Sequence, residues 1–202
     1  MNLKTMASVV IGLAVSAVAS QAAIALQSFN STWYANAGVS DTLGWEFKAN
    51  NNITVTDLGF LEKGLQNPRI PVGLWTANGT LLGQVTVTTL SSVDNGFLYA
   101  PLSLGIPLTA GQNYLIGALF QPNDSAYGNS SAEVTAPEVT YIGGRYTVPY
   151  STSLSAPTTV FGSGVFGPNF KFTATPVPEP STYLAGLSAL GMLGFFGWRK
   201  RK

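Results

Sequence analysis

Short stretches of alternating apolar and polar residues, broken by Gly, Pro, Asn and Ser, fill the middle of the chain. In 42–47 (TLGWEF), Leu43, Trp45 and Phe47 fall on one face of an extended strand, because successive side chains point to opposite sides. Segment 53–60 (ITVTDLGF) repeats the pattern with Ile53, Val55 and then Leu58 or Phe60. That change of phase predicts a β-bulge near Asp57 and Leu58. Segment 72–75 runs into Asn78-Gly79, a dipeptide suited to a two-residue hairpin, and 81–87 supplies the return strand. Further strands are predicted at 97–99, 114–120, 139–142, 145–148, 158–161 and 170–175. Helical spacing is not sustained over about ten residues anywhere in this region. About nine strands with Gly- and Pro-rich turns predict an all-β body: a single antiparallel β-sandwich of Greek-key or jelly-roll type. Tyr114 opens a strand directly after the turn Leu108-Thr109-Ala110-Gly111-Gln112-Asn113. It is either a tyrosine corner, with its hydroxyl bonded back to upstream backbone, or a packed strand aromatic.

The two ends follow a different pattern. Lys4 precedes an unbroken apolar or small run at 6–19, then Ser20-Gln21-Ala22 and Ala23-Ile24-Ala25. This is the layout of a secretory signal peptide over 1–25, with a signal-peptidase cut after Ala22 or Ala25. At the other end, 183–198 is uncharged and apolar on every side, which predicts a transmembrane helix rather than an amphipathic one. Trp198 and the basic end Arg199, Lys200, Arg201 and Lys202 act as membrane stop. Four cations there keep that end in the cytoplasm and place the body outside it. The predicted organisation is signal peptide 1–25, sandwich 26–175, linker 176–182, membrane helix 183–198 and cytoplasmic end 199–202.

Just before that helix stands Val177-Pro178-Glu179-Pro180-Ser181. Pro-Glu-Pro, one short apolar helix and a basic terminus together resemble the PEP-CTERM sorting signal of bacterial exosortase substrates, over 177–202. The resemblance implies that a membrane-embedded, transpeptidase-like exosortase reads Pro178, Glu179 and Pro180 while the helix holds the chain in the inner membrane. Two prolines suit that role, since they impose an extended backbone with few internal hydrogen bonds. The segment 44–118 also resembles an uncharacterised secreted bacterial β-sandwich domain. It does so through Gly-Trp-Glu-Phe, Ile-Thr-Val-Thr-Asp-Leu-Gly-Phe, Val-Gly-Leu-Trp-Thr-Ala-Asn-Gly-Thr-Leu-Leu and Leu-Thr-Ala-Gly-Gln-Asn-Tyr-Leu-Ile-Gly.

Composition narrows the chemistry. The 202 residues include no His and no Cys, which removes histidine-based triads, thiolate nucleophiles and the usual zinc ligands. The formal charge of +1 averages unlike parts. Between residues 23 and 176 stand five basic and eight acidic side chains, a net of −3, so no nucleic-acid partner is expected. The eight acids lack a companion motif; Asp57 and Glu62 could meet at a loop, as a carboxylate-dependent glycoside hydrolase would need, but read better as strand-end charges. No enzyme activity is therefore expected, and no cofactor beyond a candidate structural calcium on the loop acids Asp94 and Asp124. Trp45 and Trp75 alternate with apolar residues and belong to the core. Trp33, Tyr34 and Tyr127 lie among Asn and Ser and are candidate sugar contacts, with Tyr141, Tyr146 and Tyr150 clustered later. The expected role is an exported surface or exopolysaccharide-matrix protein, structural or adhesive, with a carbohydrate-binding module as the alternative. Its expected partners are signal peptidase, an exosortase, the inner membrane and exopolysaccharide.

Overall fold

The computed structural model describes residues 22–29, 32–35, 39–64, 66–128, 132–162 and 164–174. In chain order the strands are β1 (Ala23–Ile24), β2 (Leu26–Ser28), β3 (Thr32–Ala35), β4 (Asp41–Ala49) and β5 (Ile53–Leu61). After a 3-10 turn at Glu62–Gly64 come β6 (Arg69–Thr76), β7 (Leu81–Thr88), β8 (Ser92–Asp94), β9 (Phe97–Leu108) and β10 (Asn113–Phe120). The last are β11 (Ser125–Gly128), β12 (Val134–Thr135), β13 (Val139–Tyr146), β14 (Thr159–Phe161), β15 (Val165–Phe166) and β16 (Pro168–Ala174).

Two antiparallel sheets carry the fold. One has the order β1-β16-β5-β9-β8, the other β14-β13-β4-β10-β6-β7; β15-β11-β3 and β12-β2 form smaller ones. Between β4 and β10 the chain changes sheet repeatedly, so neighbours within a sheet are mostly distant in sequence. The two large sheets face each other across one core. Trp45 and Phe47 of β4 pack on Phe170 of β16, at centroid distances of 6.0 and 4.7 Å. Phe60 of β5 meets Phe120 of β10 edge-on at 5.2 Å. The Trp45 indole Nε1–H donates across the interface to the Pro168 carbonyl at 2.8 Å. Each fully buried aromatic of this kind contributes roughly 1.5–3 kcal/mol, and without cysteine this core carries the stability.

The alternation read from the sequence corresponds to these strands. Leu43, Trp45, Phe47, Ile53, Val55, Leu58 and Phe60 are all buried in the core. Leu58 and Phe60 both face inward because β5 shifts register against β9 between Val55 and Asp57, one residue from the expected bulge. The Tyr114 hydroxyl accepts the Thr109 N–H at 2.9 Å, which makes it a tyrosine corner. The two strands expected at 139–142 and 145–148 are one strand, β13, with a register shift between Tyr141 and Gly143. Strand β9 continues to Leu108, well past the predicted 97–99, because Pro101, Ser103 and Pro107 interrupt its apolar pattern while it remains paired with β5. Among the described residues no helix is long and apolar enough to cross a membrane. The run at 6–19, the linker, the membrane helix and the basic end lie outside the described residues.

Candidate functional site

The outer face of the six-stranded sheet has an unusual floor. In register across neighbouring strands stand Arg145, Gly44, Gly117, Gly73 and Gln84. Three adjacent glycines leave a trough, and the segment 147–158 lies in it as a strap. The Thr147 N–H donates to the Thr42 carbonyl at 3.1 Å, and Thr42 N–H donates to the Thr147 hydroxyl at 3.2 Å. Thr147 in turn donates its hydroxyl proton to the buried Asp41 carboxylate. Further along, Ser155 N–H donates to the Thr42 hydroxyl at 3.2 Å. A Cβ added to Gly117 would lie 3.0 Å from Pro157, so the proline ring occupies the space the glycine leaves. Desolvation raises the Asp41 carboxyl above its ordinary range, only partly offset by its hydrogen bonds.

Beyond the strap the same sheet ends in an open polar cleft of about 570 Å³. Its walls are two turns: the β6–β7 hairpin with Thr76, Asn78 and Thr80, and the turn into β10 with Gln112 and Asn113. The hairpin follows from Asn78-Gly79, where Gly79 takes a φ of 89°. Both Thr76 and Thr80 hydroxyls donate to the Asn78 side-chain oxygen, which fixes the orientation of the amide. The Asn113 amide donates to Glu46 at 2.8 Å, and Glu46 forms an ion pair with Arg145. Burial lowers the Arg145 guanidinium from its ordinary value. The cleft is lined by the neutral hydroxyls and amides of Thr76, Asn78, Thr80, Gln112 and Asn113 together with Ala77, Gly111 and Tyr114, and no charged side chain lines it. Such a lining can exchange hydrogen bonds with the polar groups of a ligand.

The residues singled out from the sequence are placed as follows. Strand β3 pairs with β11 so that Trp33 stands opposite Tyr127 and Tyr34 opposite Ala126. The side chains of all three aromatics lie outside the described residues. Tyr141 is half-buried against Trp45 and Phe166, and burial with the nearby Glu133 pushes its hydroxyl up to about 12. Tyr146 meets Phe161 edge-on, whereas Tyr150 is exposed. Trp45 and Trp75 are buried as expected, but Trp75 lies outside the main core cluster, its ring next to Gly73.

Both acids expected in loops are engaged by the protein, and Asp94 is the last residue of strand β8 rather than a loop residue. Asp124 is fully buried and accepts N–H donors from Gln66, Asn67 and Gln121 and from the Asn67 amide, at 2.8–3.2 Å. Asp94 pairs with Lys171 at 2.7 Å. Among the described residues no group of three acidic side chains converges to hold a metal ion. Pro178, Glu179 and Pro180 lie outside the described residues, as do the membrane-stop cations. The cleft residues Thr76, Thr80, Gln112 and Asn113 carry no motif of their own. Only the Asn-Gly dipeptide and the tyrosine-corner turn announce the two loops that bring them together.

Comparison with known protein families matches residues 176–202 to the PEP-CTERM protein-sorting motif. That motif marks an exported protein anchored in the membrane by its C-terminal tail and processed by an exosortase-type enzyme. No curated protein matches the chain. Residues 30–167 match a domain of unknown function, DUF4082, which encloses the stretch 44–118, the glycine trough and the polar cleft. The chain thus belongs to the DUF4082 family, with a PEP-CTERM sorting signal after its β-rich body.

Proposed function

We propose that this protein is a non-catalytic structural or adhesive component of the bacterial surface or its exopolysaccharide matrix. The sorting motif at 176–202 carries the reading, since it supports delivery across the inner membrane and release by an exosortase-type enzyme. The body supports it too: four of its acids are held in structural contacts, Glu46 on Arg145, Asp94 on Lys171, and Asp41 and Asp124 on hydrogen-bond donors. Mass spectrometry of the exported protein, from cells with and without exosortase, tests the sorting step. Loss of 199–202 only in exosortase-bearing cells is expected. An intact Arg199-Lys200-Arg201-Lys202 end on protein released from those cells would overturn it.

A second reading, a carbohydrate-binding module, is favoured by the neutral cleft between Asn78 and Gln112. Retention of the protein on immobilised neutral polysaccharide, reduced about tenfold by Asn78→Ala, is the expected result; a tenfold loss corresponds to about 1.4 kcal/mol, the size of one good hydrogen bond. Equal retention of the variant would remove the cleft from the account. Running the assay with calcium and with chelator tests the candidate ion on Asp94 and Asp124 at the same time.

A further inference from the structure

The registers fix which end of the sandwich the tail leaves from. Ala174 of β16 stands opposite Ile53 at the start of β5, and Ile53 stands opposite Leu108 at the end of β9. The turns 50–52 and 109–112 therefore lie at the same end as Ala174, tied together where Gly111 N–H donates to the Ala49 carbonyl at 2.7 Å. The polar cleft opens at that end too, since Thr76 pairs with Tyr114 and Gln112 lines the cleft. At about 3.3 Å per residue, β5 sets the other end, where Leu61 pairs with Phe97, roughly 26 Å away. The sorting motif begins at 176, two residues beyond Ala174, and the uncharged apolar run begins at 183. Residues 175–182 span at most about 29 Å even when fully extended. To bring the opposite end of the body to the bilayer, that segment would have to run back along the whole length of the sandwich.

We propose that the anchored protein stands with this end toward the bilayer, so that the cleft faces the phospholipid headgroups of the membrane that holds the tail, and opens to other macromolecules only after the exosortase cut frees the body. Charge agrees with this orientation. The turns 50–52 and 109–112 carry no charged side chain, and Lys48 and Glu138 beside them are one of each sign. That end can approach phosphate headgroups without net like-charge repulsion. The position of the cleft thus couples its exposure to the processing step: the same short segment that the exosortase reads also sets how closely the cleft is held to the lipid. The orientation rests on membrane anchoring by the sorting motif and is independent of which ligand the cleft takes.

The chain has no cysteine, so one introduced thiol carries a dye to a single place. Gln112→Cys in the cleft wall and Asn51→Cys in the neighbouring turn are compared with Glu62→Cys, directly after β5, and Leu90→Cys, beyond the pairing of Thr88 with the start of β6; all four positions are exposed. Each full-length variant is labelled with a short-range energy-transfer donor and reconstituted into phosphatidylcholine–phosphatidylglycerol vesicles that carry the acceptor on their headgroups. Vesicles are floated, and transfer is read on the floated protein. Transfer at Gln112→Cys and Asn51→Cys should exceed that at Glu62→Cys and Leu90→Cys at least about threefold, because roughly 26 Å of strand separates the two ends. Two positions at each end guard against one variant that fails to fold. Equal transfer from all four, or stronger transfer from Glu62→Cys and Leu90→Cys, overturns the orientation. Protein that does not float with the vesicles contradicts the anchoring itself, a separate failure that removes the orientation with it.

Discussion

Tyr114 shows how one hydroxyl can tie a loop to a strand. It receives the Thr109 N–H five residues upstream, while Ala110 N–H goes to Asn52 at 2.8 Å and Gly111 N–H to Ala49 at 2.7 Å. Tyr114→Phe keeps the ring and loses the acceptor, so a destabilisation of about 1 kcal/mol is expected in denaturant titration. Asp41 works in the opposite sense. Its folded carboxyl binds a proton more readily than the unfolded one, so this group favours folding at acid pH, and that contribution is lost as pH rises through the raised value. Asp41→Asn keeps an oxygen for the Thr147 hydroxyl and cannot ionise. It should stabilise the protein at pH 7 relative to the parent, with the difference shrinking as pH falls toward the ordinary carboxylate range. Denaturant midpoints across that range check the trend; a difference that does not vary with pH would contradict it.

At the scale of elements, the trough and its strap depend on one another. Gly44 is where the sheet tolerates no side chain: a Cβ there would run into the Ile116 carbonyl of the neighbouring strand. Gly143, on the next strand, has open space around its Cβ position. Gly44→Ala should therefore cost about 3 kcal/mol, the upper end for overpacking, by prising β4 from β10. Gly143→Ala should leave the unfolding midpoint nearly unchanged. Single-residue periodicity could not foresee this contrast, since both are glycines inside apolar strands. What separates them is the strand on the other side of the ladder.

At the scale of the whole molecule, the two sheets are joined by Trp45, whose indole bonds Pro168 while its ring stacks on Phe170. Trp45→Phe keeps most of the packing but leaves the buried Pro168 carbonyl without this donor, so a loss of about 2–4 kcal/mol is expected from the cavity and the unpaired group together. The N-terminal boundary is also a whole-molecule question. Ala23 and Ile24 form β1 against β16, and Ala25 both donates to Phe170 and accepts from Ala136. A signal-peptide cut after Ala25 would discard those contacts, whereas a cut after Ala22 keeps them. N-terminal sequencing of the exported protein should read Ala23 first; a start at Leu26 would show that the body folds without β1.

Much was legible in the chain because the period of a strand is two and each sheet has one buried face. Leu43, Trp45 and Phe47, the bulge in β5, the Asn-Gly hairpin and the C-terminal sorting motif are all local patterns, fixed by residues close to one another in the chain. The order of strands within each sheet was not legible, because partners such as β4 and β13 lie about ninety residues apart and several registers would satisfy the same alternation. The polar cleft escaped notice for the same reason: Asn78 and Gln112 become neighbours only when β6 and β10 pair. Sequence alone determined the strand faces, the C-terminal sorting motif, and the absence of histidine and thiol side chains. Tertiary structure decided which glycines form a trough and which carboxylates are engaged, since each depends on what a distant segment places beside it.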